Sequence, residues 1–383
     1  MHQLSANIKN RIEAIDTLRG FALLAITLRH FISRYNYPLN KKESNAVVQK
    51  IDWLIETADY HLLSGKVYPV FALLFGYTIY LISEKQRDNF KPFIVSRLLW
   101  LILFAGIDAL LFPSGDILGL YIIVGLITVP FIKKEPKTLL LVAVFFLLQP
   151  FEWGRLLISY LGNGSDILHK ASLSLKSDLD YAAINRSLLD NIWLNVTKGQ
   201  ASSLLWALET GRFSQTLSIM LIGIYLGKKG TLVNALTIGK KYIKWALVPA
   251  ALVFVAFAIR KKYSGVGFSD EMTRQILSNW INIGVACIYM ILFISLYKGL
   301  FERTASLLKY YGRMSLSNYI LQSVLGGIIF APYLLNIGTG VTTTGVVGMF
   351  IIVVLFQIMF SRAWLNEKRY GPVEFYWRKL SVL

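Results

Sequence analysis

Residues 15–33 form an apolar run interrupted by Asp16, Arg19, Thr27, Arg29 and His30. Asp16, Arg19, Leu23, Thr27 and His30 are spaced three, four, four and three apart, so they share one face of a helix. Arg19 and His30 are eleven residues apart, roughly 16 Å of depth at about 1.5 Å per residue. One face thus carries a guanidinium at one depth and an imidazole at another. A guanidinium suits phosphate, because its planar fork donates two hydrogen bonds at once. A neutral imidazole accepts a proton near neutral pH, which makes His30 the candidate general base. Charge inside a span costs about 2.5–3.5 kcal/mol on insertion scales, so such residues are read as functional.

A second run repeats the arrangement, with Arg97 and Asp108 again eleven apart. Asp116 opens the run after it, where it can cap a helix. Either Asp108 or Asp116 is expected to orient His30. Arg19, Arg97 and Arg313 recur near span ends on one side and read as a phosphate-binding rim or as ordinary cytoplasmic charge. On the other side stand Lys66, Glu152, Arg155, Glu209, Arg212 and Asn279, expected to line a polar, substrate-binding cavity open to the outside. No Gly-x-Ser-x-Gly elbow, GxxxxGK[ST] loop, GxGxxG turn or HExxH pair occurs. Neither an ATP-driven motor nor a metal site is expected. The single Cys287 can form no internal disulfide.

These residues need a membrane scaffold. The chain is 55% hydrophobic and 16% charged with a mean hydropathy of +0.52, too little charge to clothe a soluble protein of 383 residues. Apolar runs predict about ten spans, near 15–33, 61–83, 94–112, 116–132, 138–160, 211–228, 242–259, 276–297, 314–333 and 344–363. The expected fold is an all-α integral membrane bundle forming one domain over 1–383. The first run reads as a span, not a cleavable signal. The formal net charge is +18, which in a membrane protein points to cytoplasmic loops and not to nucleic acid. Twenty Lys and Arg fall on the side of the N-terminus, mostly in short loops, against twelve on the other. Both termini are therefore expected in the cytoplasm. Segments 34–60 and 161–210 become long outer loops. The second carries weakly amphipathic stretches and three Asn-x-Ser/Thr sequons at Asn163, Asn185 and Asn195.

The opening stretch from Arg11 to Leu23 resembles the start of the YeiB-like membrane proteins, a family named as a domain of unknown function. The resemblance continues through Gly65-Lys66 to Gly76, Arg97 to Tyr121, Gly312-Arg313 to Ser323 and Gly371-Pro372-Val373-Glu374 to Arg378. That family is similar to the transmembrane acyltransferases, which include acyltransferase-3 proteins and heparan glucosaminide acetyltransferase. Acyltransferase-3 proteins carry a histidine eleven residues after the first-helix arginine, matched here by His30 and Arg19. Typical YeiB-like proteins have asparagine at that place, and often histidine where this chain has Asp108. The resemblance implies an acyl-CoA donor, probably acetyl-CoA, with its phosphates at Arg19, Arg97 and Arg313. It also implies a glycan or lipid-linked acceptor, no metal, and membrane lipids as surroundings. Homo-oligomerisation is left open. A small-solute transporter or a non-catalytic membrane protein is the alternative.

Overall fold

The computed structural model describes residues 2–35, 44–111, 117–161, 168–175, 188–232, 239–263, 265, 267–297, 299, 306–331, 334–337 and 340–381. Among them there are helices and turns but no strand. In chain order the helices are α1 (His2–His30), α2 (Ala46–Ala58), α3 (Tyr68–Gln86), α4 (Phe90–Leu111), α5 (Ile117–Thr128), α6 (Pro136–Leu147) and α7 (Pro150–Leu161). Then come α8 (Leu188–Leu194), α9 (Gln200–Glu209), α10 (Arg212–Lys229), α11 (Leu247–Lys262), α12 (Phe268–Leu296), α13 (Ser306–Arg313), α14 (Ser315–Phe330), α15 (Thr343–Glu367) and α16 (Pro372–Leu380).

A helix occupies each expected span. Six segments are long and apolar enough to cross a membrane: Ala46–Gln86, Phe90–Asp108, Pro136–Leu161, Lys241–Lys262, Ser269–Leu296 and Thr343–Glu367. Leu118–Phe131 and Ser315–Phe330 are shorter apolar helices. The missing hydropathy of α10 has a physical source: Ser214, Gln215, Thr216 and Ser218 are buried in the bundle. The outer surface is apolar instead. Phe254 is 74% exposed and Ile352 70%, as expected where lipid is the solvent.

Three boundaries differ from the expected ones. The span expected at 61–83 starts at Tyr68, after a turn at Gly65 whose φ is +79°. A Cβ there would come within 2.7 Å of the Arg212 guanidinium, so only glycine fits. The span expected at 138–160 is broken between α6 and α7, where Gln149 takes a φ of 58° before Pro150. The segment 34–60, expected as an outer loop, contains α2, capped by Asn45, whose side chain accepts from Val48 N at 2.9 Å. Asp52 and Glu56 on α2 bond Thr344 and Thr343, which ties this loop to the start of α15.

Two close crossings hold the bundle. A Cβ on Gly20 would lie 2.2 Å from Leu308 O, and one on Gly312 only 1.9 Å from Asp16 O, so α1 and α13 touch backbone to backbone. Gly76 against Met220 O and Gly223 against Leu73 O do the same for α3 and α10.

Candidate functional site

Arg19, Arg97 and Arg313, taken from three separate stretches of sequence, line one cavity of about 170 Å³. Arg378 on α16 joins them. Arg19 donates to Asp16 Oδ1 at 3.1 Å and to the Thr78 hydroxyl of α3. The Arg97 guanidinium lies 3.9 Å from the Trp377 ring centre, and the Trp377 indole N–H donates to Arg97 O at 2.7 Å. Arg313 donates to Arg369 O at 3.2 Å, and Arg378 lies 4.2 Å from the Tyr370 ring centre. Of the four, only Arg19 makes an ion pair with a carboxylate among the described residues. Glu374 also lines the cavity, but its oxygens are committed. They accept from Leu316 N at 2.8 Å, Ser317 N at 3.1 Å and the Ser317 hydroxyl, capping the start of α14. Burial pushes the Glu374 carboxyl above the usual carboxylate range. The rest of the wall is apolar and aromatic: Ile26, Phe71, Leu74, Phe75, Leu101, Leu118, Tyr121 and Tyr319. The cavity is thus cationic at one end and greasy along its length.

His30 is buried, and its ring meets Tyr319 edge-on with centroids 5.9 Å apart. Tyr319 therefore stands between the imidazole and the cavity. His30 Nδ1 lies 3.2 Å from Gln322 Nε2, an amide where a carboxylate was expected. Asp108 is fully buried on α4, and Asp116 lies outside the described residues. Gln322 Oε1 in turn meets the Thr27 hydroxyl, which is 3.1 Å from Tyr311 OH and 2.8 Å from Leu23 O. Tyr311 OH donates to Gln357 Oε1 at 3.2 Å, and Gln357 Nε2 donates to Asn318 O at 3.0 Å. Asn318 Nδ2 closes the network on Ser361 Oγ at 2.9 Å and Tyr311 O at 3.1 Å. The network joins α1, α13, α14 and α15.

Its proton arrangement sets the His30 tautomer. With the amide nitrogen toward His30, Nδ1 accepts and the ring proton sits on Nε2. With the amide turned over, Gln322 oxygen accepts from Nδ1–H and Nε2 is the basic nitrogen. Thr27 then receives the amide N–H and gives its own proton to Leu23 O. Both arrangements satisfy the network, so Gln322 can support either tautomer.

The predicted outer residues lie around two turns: a Cβ on Gly211 would meet Asn279 Nδ2 and Glu152 Cγ, and one on Gly65, beside Lys66, would meet the Arg212 guanidinium. Arg212 alone among them lines a second cavity, of about 100 Å³. Lys66 Nζ donates to Tyr60 O at 3.0 Å and Ser64 O at 2.8 Å. Glu152 accepts from Ser214 Oγ at 2.9 Å, and Arg155 donates to Glu209 O at 2.9 Å. Glu209 Oε1 pairs with His169. Asn279 Nδ2 donates to Gln149 Oε1 at 2.8 Å and Thr210 O at 2.7 Å, fastening the turn before α10. Asn195 of the third sequon is buried and donates to Leu110 O at 3.1 Å; Asn163 and Asn185 lie outside the described residues.

Sequence reasoning did not single out Thr78, Tyr121, Tyr311, Gln322 or Gln357 as site residues. Trp377 and Arg378 stood in a quoted motif, and an Arg beside a Trp in a short amphipathic helix was the available signal.

The motifs that carry this geometry extend to known proteins. Residues 226–383 match a family described as "Protein of unknown function (DUF418)". The chain is 29% identical to YeiB of Escherichia coli (strain K12), with 96% of this chain and 95% of that protein covered. The YeiB-like resemblance spans the chain. YxaH of Bacillus subtilis (strain 168) is 25% identical over 100% of this chain and 97% of its own length. A 39.9 kDa protein from the amylase 3' region of Bacillus acidopullulyticus is also 25% identical, covering 98% and 94%. All three carry the description "uncharacterized".

Proposed function

We propose that this protein is a multi-pass acyltransferase of the cell membrane, moving an acyl group, acetyl in the first instance, from cytoplasmic acyl-CoA to a hydroxyl of an extracytoplasmic glycan or lipid-linked acceptor. The observation that carries the reading is the convergence of Arg19, Arg97, Arg313 and Arg378 on a cavity whose remaining wall is mostly apolar and aromatic, with Thr78, Ser315 and the committed Glu374 as its other polar residues. A polyanionic head on a long, uncharged arm is the ligand that such a wall fits. Guanidinium forks hold phosphate oxygens two at a time, and the phenylalanine-lined length accepts the arm. The Lys and Arg asymmetry of the loops supports cytoplasmic termini, which puts the basic end inside.

In this reading His30 Nε2 takes the proton of the acceptor hydroxyl. The oxygen attacks the thioester carbonyl, the carbon–sulfur bond breaks, and the imidazolium returns the proton to the departing thiolate. Gln322 holds Nδ1–H, and Asp108 or Asp116 is the carboxylate that supports the imidazolium. Access to the thioester requires Tyr319 to move or the thioester to stop against it.

Thioester hydrolysis or transfer by the purified protein, with acetyl-CoA and a hydroxylated acceptor, tests the reading. A protein that binds no CoA and cleaves no thioester sinks it. Sidedness is tested in a Cys287→Ser background by impermeant labelling of cysteines placed at Asn45, Ser174 and Lys134. Labelling only at Lys134 in intact cells reverses the orientation.

One observation favours the transporter reading. Both cavities lie along α3, the second lined by Tyr68, Pro69 and Ala72 and the first by Phe71, Leu74, Phe75 and Thr78, and they share the Tyr121 ring as a wall. Tyr121→Ala would join them. Solute flux into vesicles carrying that variant, with no thioester cleavage by either protein, selects transport over acyl transfer.

A further inference from the structure

We propose that the second cavity, at the head of α3 and α10, is an oxyanion site that takes a phosphate or carboxylate carried by the acceptor. Its wall is largely apolar, and the polar groups set into it are mostly donors. The Arg212 guanidinium donates to Gly65 O at 3.3 Å and to Gln215 Oε1 at 3.1 Å, both neutral groups. It is flanked by the Tyr68 and Trp206 rings, at 5.7 and 5.8 Å. Its Nε is buried without a hydrogen-bond partner among the described residues. Gln200 Nε2, on the facing helix α9, is a second buried donor without a partner. The Ser203 and Thr216 hydroxyls also line it, and among the described residues no acidic residue belongs to it.

Glu209, three positions before Arg212, pairs with His169, and Glu152 accepts from Ser214. Among the described residues Arg212 makes no ion pair. A cation buried in a membrane protein without a counter-ion is costly, as are unmade hydrogen bonds from buried N–H groups. A ligand that brings only acceptors and negative charge resolves both; a neutral sugar, which brings as many donors as acceptors, does not. Arg212 is also the first residue of an eighteen-residue helix, whose N-terminal end favours an anion. Tyr121 donates to Tyr68 O at 3.0 Å and separates this site from the basic cavity by the width of one ring. An oxyanion held at Arg212 therefore places the hydroxyls next to it against the acyl end of the donor cavity. The oxyanion site stands on its own geometry. Only the word acceptor rests on the acyl-transfer reading.

The test is binding to the purified full-length protein in phosphatidylcholine nanodiscs, read by fluorescence of Trp206 in the cavity wall. Glycerol 3-phosphate and glucuronate are added in solution, a polyprenyl phosphate in the membrane, and glucose serves as the neutral probe. Saturable quenching by at least one anion and not by glucose is expected, and it should vanish in Trp206→Phe. The anion that binds most tightly identifies a soluble or a lipid-borne source. Arg212→Gln should weaken binding at least tenfold. Gln200→Leu should weaken it about threefold, and it serves as the test if Arg212→Gln does not fold. Glucose binding as well as the anions, or neither variant changing anion affinity by more than twofold, overturns the proposal. Anion binding without thioester turnover removes only the acceptor role, while turnover without anion binding removes only this site.

Discussion

The two cavities along α3 treat positive charge in opposite ways. The larger collects guanidiniums from four helices, α1, α4, α13 and α16, and each has a neighbour that fixes it: a carboxylate and a hydroxyl, an indole face, a backbone carbonyl, a phenol ring. The smaller has one guanidinium and unpartnered donors. Several anchored cations spread over a rim suit a ligand with several charges. One cation at a helix start suits a single oxyanion. The difference teaches that the count and support of the arginines carry more information than their presence in a span.

The largest expected effect tests what lies behind the Tyr319 wall of the larger cavity. His30→Asn, which installs the residue typical of YeiB-like proteins, should lower acyl transfer by about 10²–10⁴-fold, the range for a positioned general base. CoA affinity should stay the same. Full activity in that variant would remove His30 from the chemistry. Gln322→Leu should give a smaller loss and shift the pH-rate profile. A ¹⁵N spectrum of the histidine ring would report the changed tautomer even without turnover.

Next comes the contrast itself. Arg97→Lys keeps the charge but loses the stacked fork over Trp377, and should weaken CoA binding roughly tenfold, in line with about 1.5–3 kcal/mol for hydrogen bonds to charged groups. Trp206 quenching by anions should not follow. If Arg97→Lys and Arg212→Gln weaken CoA equally, the two cavities are one site. Gly76→Val tests the scaffold both share. Its Cβ would sit 2.1 Å from Met220 O, and the forced separation of α3 and α10 should cost about 1–3 kcal/mol, seen as a lower thermal midpoint with both ligands bound more weakly.

The smallest effect concerns pH. The Glu374 carboxyl is raised by burial, so its contribution is fully present below the unfolded-state value and is lost as pH rises through the folded one. The thermal midpoint should therefore carry a downward component as pH rises above about 4.5, and Glu374→Gln should flatten it. An unchanged slope would show that Glu374 caps α14 without strain.

Much of this was legible in the sequence, and the reasons differ by region. Most spans left a hydropathy signal because lipid demands apolar surface over a fixed length, while α10 lost it to the polar side chains it buries. Arg19, Arg97 and Arg313 could be named because a guanidinium at a span end is conspicuous against that background. Their meeting in one cavity could not be read, since it depends on how α1, α4 and α13 pack. The His30 contact with Gln322 could not be read for a related reason. A carboxylate is the usual companion of a catalytic imidazole, and Gln322, an uncharged residue in an apolar helix, gives no comparable signal until α14 is set against α1. Lys66, Glu152, Glu209 and Asn279 looked like a cluster because they share a depth. In the fold they are occupied with turns and caps, because the chain must break and restart at Gly65, Gln149 and Gly211.

The short helix α16 sets a consequence for how the protein is made. Trp377 and Arg378 come from it, while Arg19 and Asp16 come from the first helix, more than 350 positions earlier. A nascent chain halted between Glu367 and Gly371 has all its long apolar helices and still lacks one side of the basic cavity. Membrane insertion and ligand competence are thus separate milestones, so a truncated product would pass a localisation assay and fail every binding assay.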